Sequence, residues 1–172
     1  PRACPRRRGT GGAGGARLAY HRARAAAGPD RDRAAQLEAA GIGTHRPGAP
    51  DAGARLLARA HTLTPVGDLE GRGRRAILEA EARLEAGDLR GSGDVLEQAL
   101  RWLPAERQRA EALLLLGTIH GYLDRSRAVT TLMQALPNAA DDATLQGRIH
   151  GRIALFENDV EASRVHARAA VG

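Results

Sequence analysis

A chain of 172 residues, 42% of them hydrophobic, is long enough to bury one sizeable core, and with aromatics at 2% that core has to be aliphatic. All 26 basic residues are arginine, which excludes a P-loop lysine, a Schiff-base lysine and a Ser-Lys dyad. The net charge of +6 is local: residues 1–24 hold seven arginines and no acid, and the rest holds 19 Arg against 20 Asp plus Glu, so the body is electrically balanced.

Residues 1–16 (PRACPRRRGTGGAGGA) have almost nothing to bury and are predicted to be disordered, because burial cannot offset their ordering entropy. Their GTGGAGGA run lacks the lysine, the preceding strand and the spacing of a phosphate-cradling loop, and reads as flexible linker. The arginines could touch phosphates, but Tyr20 is the only nearby aromatic, so specific nucleic-acid binding by this segment is not expected. Cys4, the single cysteine, permits no disulfide framework and no cysteine-built zinc site within one chain. The start has neither an initiating Met nor a capped element, which suggests a piece of a longer chain. The start has charge with no apolar segment behind it, so it is not expected to act as a secretory signal, and no apolar run approaches the roughly 18 residues of a membrane span. A soluble, cytoplasmic protein without a membrane partner is the expectation.

From Arg17 onward the pattern is helical, rich in Ala, Leu, Arg and Glu and poor in β-formers. Helices are predicted at 17–27, 31–40, 51–63, 69–86, 89–102, 105–121, 125–136, 141–156 and 159–170. Gly28-Pro29-Asp30 should stop one helix and cap the next with Asp30. Gly87 suits a left-handed C′ position and Asp88 the following N-cap; Pro104 suits a first turn; Asp124, Asp141 and Asp159 are each placed to cap. Residues 41–50 (GIGTHRPGAP) should form a loop or frayed end. In 105–121, Ala110, Leu113, Leu114, Gly117 and Gly121 form an apolar stripe edged by Leu116 and Ile119, with small residues that let a neighbour come close.

An internal repeat organises these helices. Shifting 76–100 by 36 residues superposes Ala76 on Ala112, Leu78 on Leu114, Asp88 on Asp124, Leu96 on Leu132, Gln98 on Gln134, Ala99 on Ala135 and Leu100 on Leu136. A shift of 39 joins Leu57, Ala60 and Pro65 to Leu96, Ala99 and Pro104. A helical hairpin repeated at this period cannot bury its own stripe, and stacking solves the problem. The expected fold is all-α: antiparallel hairpins over 17–172 stacked as a TPR-like α-solenoid, a right-handed superhelix of three or four units with a concave face.

Catalytic and metal constellations are weak. Six histidines (His21, His45, His61, His120, His150, His166) include no i, i+4 pair and no HExxH. Glu79, Glu81 and Glu85 beside Arg83 read as a helix face on which Glu79–Arg83 forms a solvated i, i+4 salt bridge. No nucleophile–base pair stands out. We therefore assign no catalytic, cofactor-binding or metal-binding residue, no cofactor and no enzymatic activity.

The run Arg107–Val171, with RAEALLLLG, LMQAL, DDATLQGRIHGRIA and HARAAV in order, resembles the helical region of the large ATP-binding regulators of the LuxR family, common in actinobacteria. YHRARAAAGPDRDRAAQLEAAG, GARLLARAHTLTP and EAEARLEAGDL resemble earlier segments of the same arm. The resemblance implies a STAND/AAA ATPase before the arm and a helix-turn-helix after it. It also implies a role in sensing an effector or protein partner on the concave face and coupling it to activation of transcription. This chain departs from the pattern at GIGTHRPGAPDAG and at Gly91 and Gly93, each Gly costing about 0.5–1 kcal/mol against Ala. Two rival readings are a free-standing TPR-like adaptor unrelated to transcription, and an ATPase fragment lending Arg101, Arg125 or Arg127 in trans.

Overall fold

The structure, a computed structural model, describes residues 28, 30–44, 49–104, 106–157 and 160–171. Among these residues every regular element is helical and no strand occurs. Helix α1 covers 30–44, followed by α2 (Pro50–Leu63), α3 (Leu69–Glu85), α4 (Leu89–Leu100), α5 (Arg107–Gly121) and α6 (Arg125–Ala135). A 3-10 turn (Leu136–Ala139) leads to α7 (Ala143–Phe156) and α8 (Val160–Ala169). The expected disordered segment, the helix at 17–27, Cys4, His21, His45 and the Asp159 cap lie outside the described residues.

Capping chemistry sets most helix starts. Asp68, Asp88, Asp124 and Asp142 each accept a hydrogen bond from the amide three residues on: Gly71, Gly91, Arg127 and Leu145. The cap of α7 is thus Asp142 and not Asp141. Pro104 stands outside the first turn of α5, which begins at Arg107 after an extended Glu106. Asp30 and Gly28 are both helical, so Asp30 is not the expected N-cap, and α1 runs on to Thr44 through the first part of the expected 41–50 loop. Gly91 has a local reason beyond its propensity cost: a Cβ there would run into the Asp88 carboxylate that caps α4, as one at Gly71 would meet Asp68.

The α3–α4 turn is a Schellman motif. Gly87 takes φ +83°, its amide donates to the Leu84 carbonyl at 3.0 Å, and the Asp88 amide donates to the Arg83 carbonyl at 2.8 Å. Between α4 and α5 no glycine is used; Arg109 Nη1 instead donates to the carbonyls of Leu100 and Leu103, closing the end of α4.

Each helix packs on the next, and α5 also touches α3 and α7. The odd-numbered helices start at one end of the molecule, where polar contacts join them. Arg31 of α1 approaches Asp68 at 3.6 Å, Gln108 of α5 donates to the Glu70 carbonyl of α3 at 2.9 Å, and Arg107 meets Asp142 at 2.8 Å. At the opposite end Gly121 of α5 packs under the Phe156 ring of α7. Alternate helices α3, α5 and α7 therefore run parallel.

The core is aliphatic and small. Ala76, Ala80, Leu96, Ala99 and Ala112 fill the space between α3, α4 and α5. Leu113, Leu114, Leu132, Leu145, Ile149 and Ile153 fill that between α5, α6 and α7. Burying each large aliphatic contributes about 1.5–3 kcal/mol. Helix α5 is central, so Leu116 and Ile119 are core residues and not stripe edges. The expected close approach at Gly117 is to a side chain: a Cβ there would lie 2.6 Å from Leu132 Cγ.

Candidate interaction groove

Side by side, α3, α5 and α7 enclose an open groove of about 1160 Å³. Its walls follow the helical repeat. Arg74, Glu111 and Arg148 form one layer, Leu78, Leu115 and Arg152 the next, and Glu81, Thr118 and Leu155 a third. Leu84 and Tyr122 close the far end. Tyr122 and Leu155 are 66% and 60% exposed, so this surface presents large side chains that the chain itself leaves uncovered.

Ion pairing divides the groove's arginines. Arg74 Nε donates to Glu38 at 2.9 Å, a bond that holds its guanidinium above the ordinary arginine value. Arg107 binds Glu111 at 2.9 Å and Asp142 at 2.8 Å. Arg148 and Arg152, one turn apart on α7, make no ion pair or hydrogen bond among the described residues. Nothing in their sequence neighbourhood distinguishes them from the other arginines, because pairing here is decided by residues on other helices.

Behind the groove, α3 is pinned to α1 and α2 by buried charge. Arg75, 4% exposed, donates to Glu38 at 2.8 Å and to the Thr64 hydroxyl at 2.9 Å. Thr64 spends its own proton on the Ala60 carbonyl, so its oxygen is free to accept. Glu79, also 4% exposed, bonds His61 at 3.0 Å and Arg83 at 2.9 Å. The expected solvated Glu79–Arg83 bridge is therefore buried on the glutamate side, because α2 covers it. Glu81 and Glu85 are both exposed, so the three glutamates form no joint site.

The described histidines each face a side chain of the chain itself. His120, buried, lies 2.9 Å from the Thr131 hydroxyl, which donates its proton to the Arg127 carbonyl; His120 Nδ1 is accordingly the donor. Burial pushes this imidazole below its ordinary value, with Arg127 acting in the same direction and Glu97 and Asp124 opposing. His150 of α7 and His166 of α8 bring their Nδ1 atoms to 2.8 Å, with ring centroids 5.1 Å apart and planes 27° apart. That centroid separation is the nitrogen distance plus two ring radii, so the nitrogens face head-on and share one proton, an arrangement unsuited to chelation. Burial and His166 both push His150 down. Among the described residues no three His, Cys, Asp or Glu side chains come together as a metal site, and no helix is long and apolar enough to cross a membrane.

Comparison with family models, curated proteins and solved structures finds no match to this chain. The groove was out of reach of sequence reading, which provided a face without its lining. Exposed Tyr122, Leu155 and Leu69 are among its lining residues.

Proposed function

We propose that the chain is a non-enzymatic helical-repeat scaffold, the TPR-like sensor arm of a LuxR-family transcriptional regulator, which captures a protein partner or effector in the α3–α5–α7 groove. The observation that carries the scaffold reading is this groove, which crosses three parallel helices and is filled by nothing in the described chain. A repeated close approach supports the solenoid. In α1–α2 a Cβ on Gly41 would lie 2.8 Å from Leu57 Cγ and 3.3 Å from the Gly53 carbonyl. In α5–α6 the same part is played by Gly117, Leu132 Cγ at 2.6 Å and the Ala128 carbonyl at 3.4 Å. Leu113-x2-Leu116-Gly117-x2-His120, then Ala128-x3-Leu132 and Pro137, also follows the tetratricopeptide order, with Leu113 and Leu132 in place of Trp and Phe and His120 in place of Tyr.

The link to transcription rests on the sequence resemblance. It requires an ATPase module before this segment and a helix-turn-helix after it, and a coding sequence without them rules the regulator out. Function is tested in the full-length parent with Leu115→Glu, which places a charge on the groove floor. Inducer-dependent transcription should be lost while operator binding by the helix-turn-helix is retained. Induction at the parental level in that variant would remove the groove from the mechanism.

A further inference from the structure

Arg148 and Arg152, groove arginines without partners among the described residues, specify what the groove accepts. Arg148 and Arg152 stand at i and i+4 on α7, so their guanidiniums lie on one face within reach of a single carboxylate or two adjacent ones. Both line the groove, and the arginines of the other two walls are already ion-paired with Glu38, Glu111 and Asp142. The α3 wall carries both signs, Glu70 and Glu81 with Arg74, whereas the α7 wall carries Arg148 and Arg152. Between these walls the floor is Leu78, Leu114 and Leu115.

Its dimensions favour a chain over a small molecule. Three helices packed side by side span about 20 Å, the reach of about six extended residues. The volume, about 1160 Å³, exceeds the roughly 300–1,000 Å³ that encloses a small ligand. The chain's own Arg-rich residues 1–24 contain no acid, so they have the wrong sign for the α7 wall.

We propose that the groove takes an acidic, leucine-type polypeptide segment of a partner, with Asp or Glu side chains on the Arg148–Arg152 wall and aliphatic side chains on the Leu78–Leu115 floor. This rests on the reading of the groove as the partner site. The segment binds with its acidic residues at α7, where Arg148 and Arg152 stand.

The test is selection of a random decapeptide display library against the full 172-residue chain, with L115E and the double variant R148Q/R152Q selected in parallel. Enriched peptides should combine Leu or Ile with net negative charge. Their Kd, read by fluorescence anisotropy, should rise about tenfold in R148Q/R152Q, and the wild-type affinity should weaken with salt. Both arginines reach solvent, so circular dichroism and Tm of the double variant should match wild type. Neutral or basic enriched peptides, or equal binding by R148Q/R152Q, would overturn the acidic-segment proposal and leave the groove reading intact. Enrichment that survives L115E unchanged would overturn both.

Discussion

The hairpins α3–α4 and α5–α6 are related by the 36-residue shift yet are held together by different chemistry. In α3–α4 the helices meet through a hydroxyl, Ser92 Oγ donating to the Ala80 carbonyl at 2.7 Å, and α3 is tied to α1 and α2 by the buried charges of Arg75 and Glu79. In α5–α6 the meeting is a fully buried Leu132 seated on Gly117, and beyond it lies an aliphatic layer of Leu145, Ile149 and Ile153. The two hairpins therefore share the Asp88 and Asp124 caps of their second helices while differing in how the space between helices is filled. Leu96 and Leu132, both at 0% exposure, and Ala99 and Ala135 keep their places in both. Around them α3–α4 is joined by the Ser92 hydroxyl, while α5–α6 combines the Leu132–Gly117 contact with the His120–Thr131 hydrogen bond.

This difference can be broken first at Leu132. Leu132→Ala empties the space over Gly117 and should cost about 2–5 kcal/mol in a urea melt, since the close helix pair cannot collapse further. A loss below 1 kcal/mol would show that the α5–α6 contact is not built on this knob.

The glycines sharpen the contrast. Gly117→Ala gains about 0.5–1 kcal/mol of helix propensity, but its Cβ meets Leu132, and overpacking of that kind costs about 1–3 kcal/mol; net destabilisation is expected. Gly93→Ala in α4 meets nothing within 4 Å and should stabilise by about 0.4–1 kcal/mol. Equal and same-signed Tm shifts for the two variants would erase the distinction between the hairpins.

The smallest effect is on pH. His120 and His150 both titrate lower in the folded protein than in the unfolded chain, so between the two values the unfolded state binds more protons. Their contribution is complete above the ordinary imidazole value of 6.5 and is lost as pH falls below it toward the folded values. Thermal melts from pH 8 to pH 5 should show a falling Tm, and His150→Gln should flatten the fall. An unchanged slope in that variant would remove the His150–His166 contact from the α7–α8 packing.

Much of the helical framework was legible residue by residue. Asp88 and Asp124 cap where their spacing predicted, and Gly87 adopts the left-handed turn, because these interactions close within a few residues of the chain. Asp141 shows the limit: it was expected to cap, and a one-residue difference in helix start, after the 3-10 turn and with Arg107 of α5 on Asp142, gives the cap to Asp142. Burial of Glu79 was illegible for a similar reason. Its own helix offers Arg83 and a solvent-facing pattern, and the layer that covers it comes from α2, 18 residues away at His61.

The sequence by itself determined an aliphatic all-helical chain, its stops and caps, and the period at which hairpins recur, since propensity, capping and periodicity are local. Only the tertiary structure decided which arginines are ion-paired and which wall of the groove stays basic. It also decided which glycine is a socket and which is a vacancy, and that two histidines sixteen residues apart share a proton. Those properties depend on what a neighbouring helix places opposite each side chain, and identical residues in one repeat acquire different roles when their neighbours differ.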